Sequence, residues 1–354
     1  SELETQFGLG VIKNSAADLA TVPKGLAGIT KAHSAVNGTN WGFISLAVCM
    51  MAGTASLPHV MMRYFTTPSV KTARRSVAWS LLFIFLLYST APMLATLSKL
   101  SLMDPTLPTG IIGKSIAEVQ ALDWYQNWNE AKLMFVSDFN GNGTLELNEF
   151  FMGGKAVVLA TPEIAGLPYV ISGLVAAGGM AAAMSTADGL VLAIANALSH
   201  DLYYKIIDPK AETAKRLIVA RVLLVIIGFA AATIAAMKIQ GILGSVIWAF
   251  DFAMSGLFFP LVLGVWWKRA NSQGAVAGML LGLLSGTAYL IWVRTGGAGF
   301  WGVTQLTFGI VGSVVSLVSM VVVTLMTPEP DAKTMAMVDE VRIPSGKAVL
   351  GRQH

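Results

Sequence analysis

The residues from Gly178 to Gly189 (Gly-Gly-Met-Ala-Ala-Ala-Met-Ser-Thr-Ala-Asp-Gly) set two hydroxyls and a carboxylate into an otherwise smooth stretch. Ala182, Ser185, Thr186 and Gly189 follow i, i+3, i+4, i+7 spacing and share one helical face. Asp188 lies beside that face, roughly 60° round from Ser185 at about 100° per residue. Adjacent hydroxyls on a face of small residues offer hard oxygen ligands to a small cation, and small residues also let a neighbouring backbone approach closely. A carboxylate at membrane depth costs roughly 2.5–3.5 kcal/mol on insertion scales, so Asp188 is a functional candidate by default. The competing reading is that Ser185 and Thr186 bond their own i−4 carbonyls, as such residues do in membrane helices. The residues alone leave both readings open.

Three further groups could do chemistry. Asp138 to Glu149 (Asp-Phe-Asn-Gly-Asn-Gly-Thr-Leu-Glu-Leu-Asn-Glu) fits the calcium-loop pattern D-x-[DN]-x-[DN]-G-x5-E at every defined position. In that pattern Asp138, Asn140 and Asn142 give side-chain oxygens, Thr144 its carbonyl, Glu146 a contact through water and Glu149 a bidentate carboxylate, while Gly143 makes the sharp turn. Such loops usually work in pairs, and the alternative is an Asn-Gly turn without metal. Asp251, in Trp248-Ala249-Phe250-Asp251-Phe252, is a second carboxylate at depth. Its alternative is a structural bond to a neighbouring helix backbone. Gly53-Thr54-Ala55-Ser56-Leu57-Pro58-His59 precedes a proline that removes a backbone donor, so a break near Thr54–Leu57 is expected. Freed carbonyls at that depth must face protein or a cavity, which makes Gly53, Thr54 and Ser56 candidate substrate residues. His59 and Arg63 fall at the span's end and read as interfacial anchors.

These groups need a membrane-embedded scaffold. The 354 residues are 55% hydrophobic and only 12% charged, against about 25% charged in soluble domains, with mean hydropathy +0.65. Several apolar windows exceed the helical spanning length, so the fold class is an all-α integral membrane protein and not a barrel. About seven spans are expected, near 41–63, 77–97, 167–202, 217–237, 243–267, 275–292 and 301–326. Pro260 is expected to kink the fifth. Residues 1–40 read as a loop region, 98–161 as a polar insert holding the calcium-type loop 138–149, and 327–354 as a flexible tail. The single cysteine, Cys49, rules out an internal disulfide framework. The chain opens on Ser1 in a polar stretch, and further spans are expected before it.

Loop charges alternate along this order. Arg63–Arg75, Lys205–Arg216, Lys268–Arg269 and the tail fall on one side. The acidic insert (Asp104, Glu118, Asp123, Glu130, Asp138, Glu146, Glu149) and short loops with Lys238 and Arg294 fall on the other. The positive-inside rule puts the tail in the cytoplasm and the insert and residues 1–40 outside. Millimolar external calcium would suit even a weak loop.

Several motifs resemble the sodium:solute symporter family. They are Met184-Ser185-Thr186-Ala187-Asp188 followed by His200-Asp201-Leu202-Tyr203, then Pro58-His59-x-x-x-Arg63-Tyr64-Phe65, then Phe259-Pro260-Leu261-Val262-Leu263 with Trp267-Lys268-Arg269 and Gly274-Ala275-Val276-Ala277-Gly278. The likeness covers about residues 41–326, the transmembrane transporter domain it implies, and is nearest to bacterial cation/acetate-type or other monocarboxylate carriers. It implies the second part of an inverted-repeat (LeuT-like) core, with the first span as core helix six, the Ser185–Thr186 helix as core helix eight, and core helices one to five absent from this chain. It also implies a sodium site using the Ala182 carbonyl and the Ser185 and Thr186 hydroxyls. Asp188 stands where many relatives have a small polar residue. The implied partners are sodium, a small and anionic organic solute, and the lipid bilayer of a bacterial inner membrane. The implied mechanism is alternating access.

Rival classes have less behind them. A proton-coupled carrier would use Asp188. A symporter-like membrane sensor would need an output domain after Pro328, and the tail is short. A channel would show repeated filters or charged rings. Enzyme chemistry has no clustered metal ligands or Gly-rich phosphate loop to use, and the dispersed basic residues do not suit nucleic acid.

Overall fold

Apolar helices dominate the computed structural model, which describes residues 40–62, 67–146, 149–153, 156–237 and 241–342. The expected loop over residues 1–40 lies outside them except for Asn40. Arg63, Tyr64, Phe65, Lys238 and the tail from residue 343 also lie outside. Among the described residues six helices are long and apolar enough to cross a membrane, and a shorter apolar helix covers Trp41–Ser56. This is a multi-pass all-α membrane protein.

Helix α1 (Asn40–Ser56) ends where expected. Pro58 cannot continue its hydrogen-bond ladder, Leu57 is non-helical, and a five-residue α2 (Pro58–Met62) restarts the chain. Helix α3 (Val70–Met103) is longer at both ends than the hydropathy window suggested. At 1.5 Å per residue its 34 residues reach about 51 Å, against about 30 Å of hydrocarbon. The excess carries the basic residues Lys71, Arg74 and Arg75 at one end, first read as a loop, and Ser98–Met103 at the other.

The described residues divide into two compact units, one within 77–185 and the other made of those within 40–76 and 186–342. In the first unit the polar insert has a core of its own. Short helices α4 (Ile116–Gln120) and α5 (Asp123–Glu130), an antiparallel ribbon of β1 (Met134–Val136) on β2 (Phe150–Met152), and α6 (Val157–Ile164) close around buried Leu102, Ile111, Val119, Tyr125, Met134, Leu145 and Phe150. Phe135 stacks on Phe151 across the ribbon at 4.5 Å between ring centroids. Trp128 Nε1 donates to Glu163 at 3.0 Å, and the Ser98 and Thr161 hydroxyls pair at 2.8 Å. The insert is thus a small folded layer carried on the end of α3.

Helix α7 (Tyr169–Asn196) continues as a π-helix over Ala197–Ile207, a wider winding that sequence periodicity does not reveal. In the second unit follow α8 (Thr213–Ala236), α9 (Ile242–Ala253), a π-helical turn Met254–Phe258, α10 (Phe259–Trp266), α11 (Ser272–Arg294), α12 (Gly309–Met326) and α13 (Ala332–Arg342). The irregularity expected at Pro260 is therefore taken up one turn earlier. The last span starts at Gly309 and not Trp301, because Trp301 and Gly302 adopt positive φ (54° and 71°) in a turn. The stretch first read as a flexible tail holds α13, tied back by Lys268–Asp339 and Arg269–Glu329 pairs at 2.9 and 2.8 Å.

Helices α11 and α12 pack most closely. Gly274, Gly278, Gly282 and Gly286 form an i, i+4 stripe, all buried: the first three lie against Thr324, Met320, Ser316 and Gly312 of α12, and Gly286 lies against Ser255 and Phe308. Removing side chains lets the backbones touch, the small-xxx-small solution of membrane helices. Helix α1 joins this unit through Cys49 and Ala52, which pack with Met254, Phe258 and Ile310.

Candidate functional site

Helix α7 presents Ala182, Ser185 and Thr186 on one continuous α-helical face, as the spacing predicts. None of its residues before Ala195 is buried among the described residues, and Ser185, Thr186 and Asp188 are all exposed. Met180 and Met184, at 65% and 64% exposure, share this open surface. A carboxylate such as that of Asp188 cannot face hydrocarbon cheaply, so in a bilayer this face must meet protein or water.

The break after α1 gathers the second set. Thr54 Oγ1 donates back to the Met50 carbonyl at 2.6 Å, and the Ser56 hydroxyl to that of Ala52. Both hydroxyls are thus spent locally, and Ser56 is fully buried while Thr54 is exposed. Gly53 lies against the Phe250 backbone of α9, where a methyl would sit 2.5 Å from the carbonyl oxygen. This places Gly53 one residue from Asp251 in the facing helix.

Asp251 is 0% exposed, with its carboxylate turned toward the N-terminal turn of α12. Its surroundings are Cys49 of α1, Ser255, which donates to the Asp251 carbonyl at 2.7 Å, and the first turn of α12 at Phe308 and Gly309. Sequence reading singled out Asp251 but not Cys49 beside it, since α1 and α9 are about 200 residues apart in the chain.

The calcium-type loop is well formed over its described residues, which omit Leu147 and Asn148. Asp138 accepts from the N–H groups of Gly141 and Gly143 at 2.7 and 3.0 Å. Asn140 accepts from Asn142 at 2.9 Å and Asn142 from Thr144 at 2.7 Å. Glu146 accepts from the side-chain amides of Asn140 and Asn142, both at 3.0 Å. Glu149 is fully buried and spans the loop, taking the N–H of Phe139 at 3.0 Å and of Glu146 at 2.9 Å. Gly141 and Gly143 have φ of +73° and +72°, a region open chiefly to glycine. The donor set is all hard oxygen, as calcium requires. No three His, Cys, Asp or Glu side chains converge as a metal cluster among the described residues. The pairing that such loops usually find in a second loop comes here from residues 113–116. Gly113 N–H donates to Leu145 O at 2.9 Å, Leu145 N–H to Lys114 O at 2.8 Å, and Ser115 bridges Thr144. No motif marks that partner segment. Nearby, burial raises the Tyr125 phenol above its usual range, opposed by the hydrogen bond it accepts from Val136 N–H at 3.0 Å.

Comparison with known proteins places this geometry. Residues 155–282, from the approach to α7 into α11, match the model of the sodium:solute symporter family. The chain is similar to an uncharacterized symporter of Cupriavidus necator, 42% identical over 296 residues, covering 81% of this chain and 42% of that protein. It is also similar to a monocarboxylic acid transporter of Corynebacterium glutamicum, 27% identical over 255 residues, covering 72% of this chain and 39% of the relative. The chain thus spans about two fifths of the length of each, and both names are those of carriers. The family likeness read from the Ser185–Thr186 helix stands over the matched segment.

Proposed function

We propose that this chain is part of a secondary active transporter that couples sodium entry to uptake of a small monocarboxylate such as acetate. The observation that carries the reading is the Ala182–Ser185–Thr186 face of α7 inside the segment matching the symporter family. In this reading the Ala182 carbonyl and two hydroxyls receive sodium as cargo, and protein contributed from outside the described residues covers the rest of the face. The broken α1, with Gly53, Thr54 and Ser56, flanks the substrate. The monocarboxylate is suggested by the name of the Corynebacterium relative. A carrier shifts between states only as far as its ligands bind them differently, so sodium acts by preferring the substrate-ready arrangement. One charge crossing 100 mV supplies about 2.3 kcal/mol. The transporter sits in the bacterial inner membrane with the tail in the cytoplasm. The insert loop takes calcium outside as a structural ligand.

A second reading keeps the carrier and exchanges the ion. Asp188 is exposed on the same helix, one turn from Ser185, and could carry a proton. Uptake of labelled acetate, pyruvate and proline by the full-length protein in vesicles separates the two. A sodium gradient should stimulate one of these substrates, and Ser185→Ala with Thr186→Ala should lower that uptake at least tenfold. Uptake that follows a proton gradient, ignores sodium and is lost only in Asp188→Asn would replace sodium with the proton.

A further inference from the structure

Arg294, the last residue of α11, carries a charge that neither the fold nor the coupling helix uses. It is the single charged residue between Arg269 and Glu329. A cation at a helix C-terminus ordinarily hydrogen-bonds the last carbonyls. Here the turn takes them instead. Thr295 gives its N–H to the Ile291 carbonyl at 2.9 Å and its hydroxyl to those of Ile291 and Trp292 at 3.0 Å. Gly296 and Gly297 N–H donate to the Val293 and Trp292 carbonyls at 3.3 and 2.9 Å. Among the described residues Arg294 makes no ion pair either. Its guanidinium lies over the Trp248 ring of α9, 5.0 Å from the centroid.

Stacking occupies one face of a guanidinium and leaves its in-plane N–H donors for a partner. Those donors fit a carboxylate or a phosphate bidentately, in a fork that lysine lacks. Arg294 lines an open cavity of about 680 Å³, with Val293, Val303, Thr304, Gln305 and two glycines as the other walls. None of these residues is acidic, so the cavity itself holds nothing that competes for the cation. The one acid of α9, Asp251, is fully buried.

The walls are held in place. Trp248 Nε1 donates to the Gln305 carbonyl at 2.9 Å, which fixes the ring against Arg294. Tyr289 donates to the Val303 carbonyl at 2.9 Å and accepts from Phe300 N–H at 3.3 Å. Thr304 N–H donates to Thr307 Oγ1 at 2.9 Å. A methyl on Gly299 would sit 2.5 Å from the Val303 carbonyl oxygen, so the loop closes this tightly only on glycine. Tyr289, Leu290, Val303 and Phe308 form a buried cluster with Trp248 and Val293 packed against it. A frame ordered in advance loses little on binding. Trp292 and Trp301, 58% and 84% exposed, flank it in the chain. Exposed indoles at the end of a span sit at the level of lipid headgroups.

We propose that this cavity is an oxyanion-binding site, in which Arg294 receives the carboxylate of a small organic acid or the phosphate of a lipid headgroup through paired N–H···O bonds. Both sources present two oxygens to one guanidinium edge. The site is separate from the α7 face and from the break in α1, and it goes beyond the sodium-coupled reading without resting on it.

Thermal unfolding of the purified full-length protein tests the site in sodium-free choline chloride at fixed ionic strength. Dodecyl maltoside serves as detergent, since it carries neither carboxylate nor phosphate. One arm replaces choline chloride with choline acetate. The other adds short-chain phosphatidylglycerol, with diacylglycerol of the same chains as control. The melting temperature should rise with concentration in at least one arm, and the arm that responds names the source. Arg294→Gln should abolish the rise. Arg294→Lys, which keeps the charge if the glutamine variant fails to fold, should need at least tenfold more ligand for the same rise. No rise in either arm, a rise confined to the lipid arm and matched by diacylglycerol, or an equal rise in either Arg294 variant overturns the proposal. Sodium-driven uptake reports separately: uptake that ignores sodium while this rise persists faults the carrier reading alone.

Discussion

At the scale of single residues, the glycine stripe makes the sharpest claim on stability. A methyl on Gly282 would overlap the Ser255 carbonyl oxygen and sit 2.6 Å from Ser316 Cβ, with backbone on both sides unable to yield. Overpacking of this kind costs about 1–3 kcal/mol. Gly264, one helix earlier, has open space about it. Gly282→Ala should therefore lower the melting temperature of the purified protein by several degrees, while Gly264→Ala leaves it unchanged or raises it. Equal effects at both positions would mean that close approach of α11 to α12 is not what the glycines provide. The same scale shows where sequence reading stops. The spacing of Ala182, Ser185 and Thr186 was legible because a helix converts spacing directly into a face. The surroundings of Asp251 were not, because Cys49 and Gly309 reach it from distant parts of the chain.

At the scale of elements, hydropathy located each span, since a run of apolar residues is the same signal in sequence and in structure. It misplaced ends, because α3 leaves the hydrocarbon without leaving the helix and residues 301–308, which include Trp301, Val303, Leu306 and Phe308, are not helical. It also missed the order within the insert. That layer folds on Leu102, Tyr125, Leu145 and Phe150, residues too scattered for any periodicity, and its calcium-type loop is hydrogen-bonded to residues 113–116. The arrangement makes a definite prediction about the metal. Calcium at a hundredfold excess over Kd should stabilise the insert by about 2.7 kcal/mol, read as a rise in its melting transition, and magnesium should not substitute. Glu149→Gln should remove the rise, since this carboxylate closes the loop on the N–H groups of Phe139 and Glu146. No calcium-dependent shift in the wild type would mean that those internal bonds alone hold the loop.

At the scale of the whole molecule, orientation links the sites to the gradients they are proposed to use. Basic residues recur at Lys71–Arg75, Lys205–Arg216 and Lys268–Arg269, each separated from the next by two spans, while the acidic insert occupies an intervening side. With Lys and Arg toward the cytoplasm, the proposed orientation would put the calcium-type loop where calcium is millimolar and the α13 ion pairs inside the cell. Cysteine labelling can read this directly. Cys49 is the one cysteine of this chain and is buried, so Cys49→Ala, made with any cysteine of the full-length protein outside this chain also replaced, clears the background. In that background Asn129→Cys in the insert and Asp331→Cys before α13 are both at exposed positions. A membrane-impermeant maleimide applied to intact cells should label the first and spare the second, and permeabilised cells should label both. The reverse pattern would put the insert in the cytosol, where sensor-grade affinity would be needed to fill its loop, and would turn the face of α7 toward the opposite ion gradient. Calcium binding outside and sodium entry inward therefore stand or fall together on this one topology.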